Sequence, residues 1–146
     1  MKRLVRVFSF QGRSSRLGYW RTVLALTVLS AVAEGLVVGG VQVSTVVAAI
    51  AGALFLPLTV ANIAVAVRRL HDRGKSAWWL IPYCAMPFGL IASTKLMAFE
   101  TEPVRGTTAV IVLTLVLTAA VLTIWGWIEI GFLRGQPKTN RYGAPV

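Results

Sequence analysis

Four long apolar blocks, separated by short polar segments, constrain the fold of this chain more than any other feature. Each block reaches the roughly 20 residues that a helix needs to cross the ~30 Å hydrocarbon core of a bilayer. The blocks do not alternate between apolar and polar residues, as the strands of a membrane barrel do. Since lipid cannot satisfy an open backbone, helices are expected. The predicted spans cover about residues 20–40, 46–67, 77–99 and 107–133.

Composition supports lipid as the solvent around these blocks. The 146 residues are 56% hydrophobic and 14% charged, whereas a soluble domain is about one-quarter charged. A water-soluble fold of this length has too little interior to bury so many apolar side chains. We therefore predict an all-α integral membrane bundle of four transmembrane helices, forming a single membrane domain over residues 1–146.

The two ends of the chain lie outside the predicted spans. Residues 1–17 mix arginines with Leu, Val and Phe, which favours an interfacial segment along the headgroups. Residues 134–146 are rich in turn-forming residues and predict an irregular tail. The stretch 31–33 (AVA) resembles a signal-peptidase site, and cleavage there would leave three spans. The basic region before it is long for a signal peptide, so we expect the first span to be retained.

The distribution of Lys and Arg predicts the orientation of the spans. Thirteen of the 15 cations lie before or at the start of span one, between spans two and three, or after span four. These three segments share one side of a four-span bundle, and an excess of Lys and Arg marks cytoplasmic loops. Lys95 and Arg105 lie toward the opposite side. Both chain ends are therefore expected in the cytoplasm.

Nothing in the sequence points to a cofactor, a metal ion or nucleic acid. Cys84 is the single cysteine and lies in an apolar block, so it offers neither an intrachain disulfide nor a Cys-based ligand set. The net charge of +10 comes from short clusters between apolar blocks. Such clusters differ from the continuous basic face of a nucleic-acid-binding domain. We expect no cofactor, no metal and no nucleic-acid partner.

Polar side chains within a span are costly and usually face the bundle interior. The candidates are Arg21, Glu34, Asn62 and Glu129. We predict that Glu129 pairs with Arg21 or with one of the arginines at 68–69, and that Asn62 makes an interhelical hydrogen bond. A proton or ion path is the alternative use of the two carboxylates.

Small residues and prolines within the spans predict close packing and kinks. Gly35 and Gly39 are spaced to let two helix backbones approach, either within the chain or in a homodimer. Pro57, Pro82 and Pro87 each remove a backbone donor and can kink a helix.

The stretch RRLHDRGKSAWW, residues 68–79, predicts a tight cytoplasmic connection between spans two and three. Gly74 suits a left-handed cap at the end of span two, and Ser76 suits the N-cap of span three. The two tryptophans that follow fall at headgroup level, where indoles are enriched.

The His71-Asp72 pair in that stretch raises the question of catalysis. A His–Asp pair can orient a general base, but no Ser or Cys nucleophile stands at a set spacing from it. Asp72 is the single carboxylate among four cations, so we expect it to bond an arginine or cap the turn. No catalytic residue is assigned.

Three motifs in order resemble a known family. They read FxFxGRxSRxxYW at residues 8–20, RRLHDxGKSxWW at 68–79 and NRYGxP at 140–145. The chain resembles DUF805, a family of small bacterial inner-membrane proteins of unknown function. The resemblance implies a multi-span inner-membrane protein with no established activity. The chain departs from the family pattern at Gly18, where an acidic residue is common, and at Ala77 and Lys138, where Gly is usual.

All three motifs lie on the same predicted side of the membrane, so we expect them to form one cytoplasmic cluster. Its predicted members are Arg13, Arg16, Arg68, Arg69, His71, Asp72, Arg73, Asn140, Arg141 and Tyr142. The cluster either locks the helix ends together or holds an anionic lipid headgroup or a protein partner. Clustered cations attract anionic headgroups at roughly 1 kcal/mol each.

The sequence thus predicts a non-enzymatic, multi-pass inner-membrane protein with a basic cytoplasmic face. Its expected partners are membrane lipids, anionic ones in particular, and further copies of itself. One alternative is a small transporter or channel component built as an oligomer. Another is a membrane enzyme that acts on lipid phosphate.

Overall fold

A computed structural model of the chain describes residues 7–100 and 106–146, without the side chains of residues 40–43 and 97–100. This part of the chain is helical, and its single β feature is an isolated antiparallel bridge between Asn140 and Gly143. The predicted all-α class is confirmed. The first six residues of the predicted interfacial segment, and most of the loop before span four, lie outside the described residues.

The chain divides into two compact units. The first consists of Met1–Lys75 together with Arg134–Val146, and the second of Ser76–Leu133. The C-terminal tail therefore belongs to the same unit as the N-terminal half of the chain.

Three helices form the first unit: α1 (Arg16–Val43), α2 (Thr45–Ala53) and α3 (Phe55–Asp72). α1 packs against both α2 and α3. The second predicted span corresponds to α2 and α3, which are divided at Leu54. Pro57 explains the division, because it lacks the N–H that would bond the carbonyl of Ala53 in a continuous helix. At the division, the amide of Leu54 donates to the carbonyl of Ala51, three residues earlier, at 3.2 Å.

The second unit begins with a short 3-10 turn (Ala77–Trp79) and a π-helical turn (Ile81–Ala85), which lead into α4 (Met86–Glu100). Prolines at 82 and 87 lie in and just after the π turn. Each removes a donor from the α-helical ladder, which accounts for the irregular start of this predicted span. α5 (Thr107–Trp127) follows and ends in a second π turn, Ile128–Phe132.

Within the described residues, three helical segments are long and apolar enough to cross a membrane: Arg16–Gly39, Thr45–Asp72 and Thr107–Phe132. The predicted span at 77–99 is also helical, but its α-helical part has only 15 residues. The apolar side chains of these helices are largely exposed; Leu56, for example, is 73% exposed. So large an apolar surface favours lipid rather than water around it. These helices support a membrane protein.

Close packing occurs at other small residues than the sequence predicts. Neither Gly35 nor Gly39 has a described atom within 4 Å of where a Cβ would stand, so close backbone approach within the chain is not found there. In the described part of the first unit, the buried alanines are Ala33 of α1, Ala51 of α2, and Ala61 and Ala64 of α3. In the second unit, a Cβ on Gly126 would lie 2.7 Å from the Cβ of Tyr83. Gly126 therefore lets α5 pack against the π turn that holds Tyr83.

Candidate functional site

The last turns of α3 carry the cluster residues. The sequence predicts a helix end near Val67, but α3 continues through RRLHD to Asp72, and residues 67–72 are all buried. Arg73 caps the helix, and Gly74 follows with φ of 74°. The predicted left-handed glycine at this position is confirmed. Ser76 is extended before the 3-10 turn, but its side chain makes no capping hydrogen bond.

Asp72 is bonded by two arginines. The Nε of Arg13 donates to Oδ1 of Asp72 at 2.9 Å, and the Nη2 of Arg13 lies 2.8 Å from the same oxygen. Oδ2 accepts a hydrogen bond from Nη1 of Arg69, three residues earlier on α3. The side chains of Arg13, Arg69 and Asp72 are at most 4% exposed. A buried carboxylate shared by two guanidinium groups is a strong hydrogen-bonded arrangement, because each charge finds a partner away from water.

Arg13 also holds the C-terminal tail. Its Nη1 donates to the carbonyl of Lys138 at 2.9 Å and to that of Gly143 at 3.3 Å. Its Nη2 donates to the carbonyl of Gln136. One buried side chain therefore connects the N-terminal segment, the end of α3 and the tail.

The tail reaches the end of α3 through its own backbone as well. The amide of Gln136 donates to the carbonyl of Asp72 at 2.8 Å. A Cβ on Gly135 would lie 1.8 Å from Oδ2 of Asp72, so only glycine leaves room for that carboxylate. The Nδ2 of Asn140 donates to the carbonyl of His71 at 2.9 Å. Asn140 thus adds another contact between the tail and α3, four residues after Gln136.

His71 is held between the N-terminal segment and the tail. Its Nδ1 lies 3.2 Å from the carbonyl oxygen of Gly12. Its ring stacks on Tyr142, with the centroids 3.7 Å apart and the planes inclined by 5°. The guanidinium of Arg141 lies 4.7 Å from the centroid of the Tyr142 ring. These contacts give His71 a packing role and hold the tail motif against α3.

The other arginines of the predicted cluster lie around this centre. Ser14 donates its amide to the carbonyl of Arg68 at 3.1 Å and accepts a bond from Nη1 of Arg69 at 3.4 Å. Arg73 donates from Nη1 to the carbonyl of Arg134 at 2.6 Å. Arg16 is exposed, and its positive charge repels the positive charge of Arg69. The structure therefore brings the ten residues of the predicted cluster together in the first unit.

The cluster has an inner and an outer layer of charge. The inner layer is buried and consists of Arg13, Arg68, Arg69, His71 and Asp72. Four cationic side chains are exposed around it and are called the outer cations: Arg16, Arg134, Lys138 and Arg141. The inner charges are engaged with backbone carbonyls and with Asp72, whereas the outer cations face the surroundings.

The polar residues predicted within the spans lie on three different elements. Arg21 and Glu34 are exposed on α1. Asn62 is half-buried, and its Nδ2 donates to the carbonyl of Leu58 at 3.0 Å, within its own helix. Glu129 is 6% exposed and lies in the second π turn. Its pairing with an arginine remains a prediction. Within residues 7–100 and 106–146, no group of His, Cys, Asp and Glu is suited to hold a metal ion.

Sequence reasoning missed several residues that build the cluster, namely Gly12, Ser14, Gly135 and Gln136. Three of these act mainly through backbone atoms, and Gly135 acts through its lack of a side chain. One signal was present in the sequence: Gly135 follows a cation directly after an apolar span, and glycine favours tight turns and close backbone approach. The carbonyl acceptors carry no side-chain signature at all.

Fold and site together define a helical protein with membrane-compatible helices, in which buried Arg13 connects the segment before α1 and the C-terminal tail to the end of α3. The chain belongs to the family described as "Protein of unknown function (DUF805)", whose model matches residues 7–144. No curated protein and no solved structure matches the chain.

Proposed function

We propose that the protein is a four-span inner-membrane protein with both termini in the cytoplasm, and that its outer cations bind anionic lipid headgroups. The segment at 77–99 supplies the fourth span in this proposal, because its helical turns together with α4 cover 24 residues from Ala77 to Glu100. An even number of spans places the termini and the loop after α3 on one side. The positive-inside rule assigns that side to the cytoplasm.

The division of the cluster into two layers carries the proposal. Arg13 and Arg69 bond Asp72 and backbone carbonyls, so their charges serve the fold. Arg134, Lys138 and Arg141 lie on a tail that these buried contacts fix in place. A fixed array of exposed cations beside a bilayer attracts anionic headgroups, at roughly 1 kcal/mol for each cation.

Nothing in the geometry of the cluster calls for catalysis. His71 stacks on Tyr142 and faces a backbone carbonyl. Asp72 is engaged by two arginines. A general base requires reach to a substrate proton, and both groups are committed to contacts within the protein. A non-enzymatic role is therefore the one we propose.

Thermal unfolding in detergent with added lipid tests the headgroup proposal. Phosphatidylglycerol should raise the unfolding temperature more than phosphatidylcholine with the same acyl chains. High salt should reduce that difference, since exposed charges are screened. The double variant Arg134→Gln/Lys138→Gln should also show a smaller difference in unfolding temperature between the two lipids.

The matched control is Lys95→Gln/Arg105→Gln, which removes two cations predicted to lie on the opposite side. An equal response to both lipids in the parent protein would contradict the proposal, as would equal losses in the two double variants. Ion or solute flux in reconstituted vesicles would instead support the transporter alternative.

A further inference from the structure

A cavity of about 430 Å³ opens in the first unit between α1, α3 and the residues Val7 and Phe8, which precede α1. This volume falls within the roughly 300–1,000 Å³ of small-molecule sites. Its lining is apolar apart from one arginine and one threonine, and it consists of Val7, Phe8, Arg21, Thr22, Ala25, Leu26, Leu29, Pro57, Leu58 and Ala61. No carboxylate is among these residues, so the charge at the cavity is positive.

Arg21 is the charged residue at this cavity. It is exposed, and within residues 7–100 and 106–146 it has no hydrogen-bond or ion-pair partner. An exposed arginine near the cytoplasmic end of a predicted span can reach an anionic lipid headgroup. The guanidinium group binds phosphate in a bidentate manner, through two parallel N–H donors.

Arg21 and Thr22 line one end of this largely apolar cavity. They lie near the start of α1, and Leu29 lies eight residues further on, which is about 12 Å along a helix. On α3, which runs in the opposite direction in the proposed topology, Pro57 and Leu58 lie deeper in the membrane than Ala61. The end at Arg21 is therefore at the depth of the cytoplasmic headgroups, and the end at Leu29 and Pro57 points toward the bilayer centre.

We propose that this cavity is a binding site for a single anionic diacyl phospholipid. One acyl chain lies along the apolar wall formed by Ala25, Leu29 and Pro57, and the lipid phosphate is held by Arg21. The site rests on the membrane orientation proposed above, but not on the outer cations. It differs from them because it combines one cation with an apolar wall, and this combination selects both the headgroup charge and the acyl chain.

Native mass spectrometry from detergent, with phosphatidylglycerol and phosphatidylcholine added in equal amounts, tests the site. The parent protein should keep one lipid, with phosphatidylglycerol favoured. Arg21→Gln should lower that preference about fivefold, the effect of removing one cation near a headgroup. Ala25→Leu should lower retention of both lipids, because the larger side chain occupies the cavity.

Two controls separate these effects from general ones. Ala31→Leu makes the same change on α1 away from the cavity, and Lys95→Gln removes a cation that does not line it; both should retain lipid as the parent does. The outer-cation variant Arg134→Gln/Lys138→Gln should keep the single retained lipid. Loss of the lipid in that variant alone would support the headgroup proposal and overturn this one.

Other results would also overturn the site. An unchanged lipid preference in Arg21→Gln, or parent-like retention in Ala25→Leu, would exclude it. A dimer that replaces the lipid adduct and disappears in Ala25→Leu would show that a second copy fills the cavity. If Arg21→Gln does not fold, Arg21→Lys and Ala25→Leu test the lipid site in its place, since both are conservative changes at exposed positions.

Discussion

Arg13 and Asp72 are 59 residues apart in the chain, yet Nε of the arginine lies 2.9 Å from Oδ1 of the carboxylate. Arg13 belongs to the segment before α1, and Asp72 is the last residue of α3. Both side chains are nearly inaccessible to solvent. This pair joins the N-terminal segment to the end of α3, together with the hydrogen bonds made there by Gly12 and Ser14.

Loss of the Asp72 charge should destabilise the protein strongly. Asp72→Asn leaves the guanidinium groups of Arg13 and Arg69 buried without a counter-charge. Breaking a buried ion pair by removing one partner costs about 3–5 kcal/mol. Unfolding by SDS titration in mixed micelles measures this loss. Glu34→Gln is the matched control, because Glu34 is exposed, and it should change stability by less than about 0.5 kcal/mol. Equal effects of the two variants would show that the Asp72 pairs do not stabilise the fold.

A methyl group at position 135 should release the tail from α3. The Cβ of Gly135→Ala would stand 1.8 Å from Oδ2 of Asp72, so either the carboxylate or the tail must move. We expect a loss of stability and faster trypsin cleavage after Lys138, which is followed by a threonine. Gly35→Ala is the control, because its Cβ meets open space. That change should be neutral or should stabilise α1 by up to about 1 kcal/mol. Parent-like cleavage of Gly135→Ala would argue against the tail contact.

The stack between His71 and Tyr142 should depend on the aromatic ring and not on the phenol. Tyr142→Phe keeps the ring and should behave as the parent does. Tyr142→Ala and His71→Ala should each lose about 0.5–1.5 kcal/mol, the usual range for an aromatic pair. The double variant should lose less than the sum of the two, because the shared contact is removed only once. The free energies of unfolding of the parent, the two alanine variants and the double variant form a double-mutant cycle. Strict additivity in this cycle would mean that the rings do not interact.

The class of fold and the membership of the cluster could be predicted from the sequence, for different physical reasons. The apolar blocks specify helices because lipid leaves the backbone no other partner. The prediction of the cluster rests on the expected four spans, an even number that would place the basic motifs on one side. This argument names Arg13, Asp72 and Asn140, but it does not say which atoms they touch.

The end of α3 shows why the rest could not be predicted. The residues RRLHD look like a solvated loop, since charged side chains usually follow the end of a span. The helix continues through them because Asp72 bonds Arg69 within the helix and Arg13 from outside it. Many of the remaining acceptors are backbone carbonyls, such as those of Gly12 and Gln136, which any residue type can offer. Likewise, the first π turn depends on how Pro82 and Pro87 are accommodated, and residue identity alone does not decide that.

The locked cluster requires that the tail and the loop after α3 share one compartment, and labelling can test this. In a Cys84→Ala background, single cysteines at Ser76, Thr107 and Lys138 are treated in intact spheroplasts with a membrane-impermeant thiol reagent. Thr107→Cys should react, because the loop before α5 carries few cations and is predicted to face outward. Ser76→Cys and Lys138→Cys should react only after the membrane is broken, because both lie on the basic side. Labelling of Lys138→Cys but not Ser76→Cys in intact cells would be incompatible with the bonds from Arg13 to the tail and to Asp72. Labelling of both from outside would reverse the orientation and leave those bonds intact.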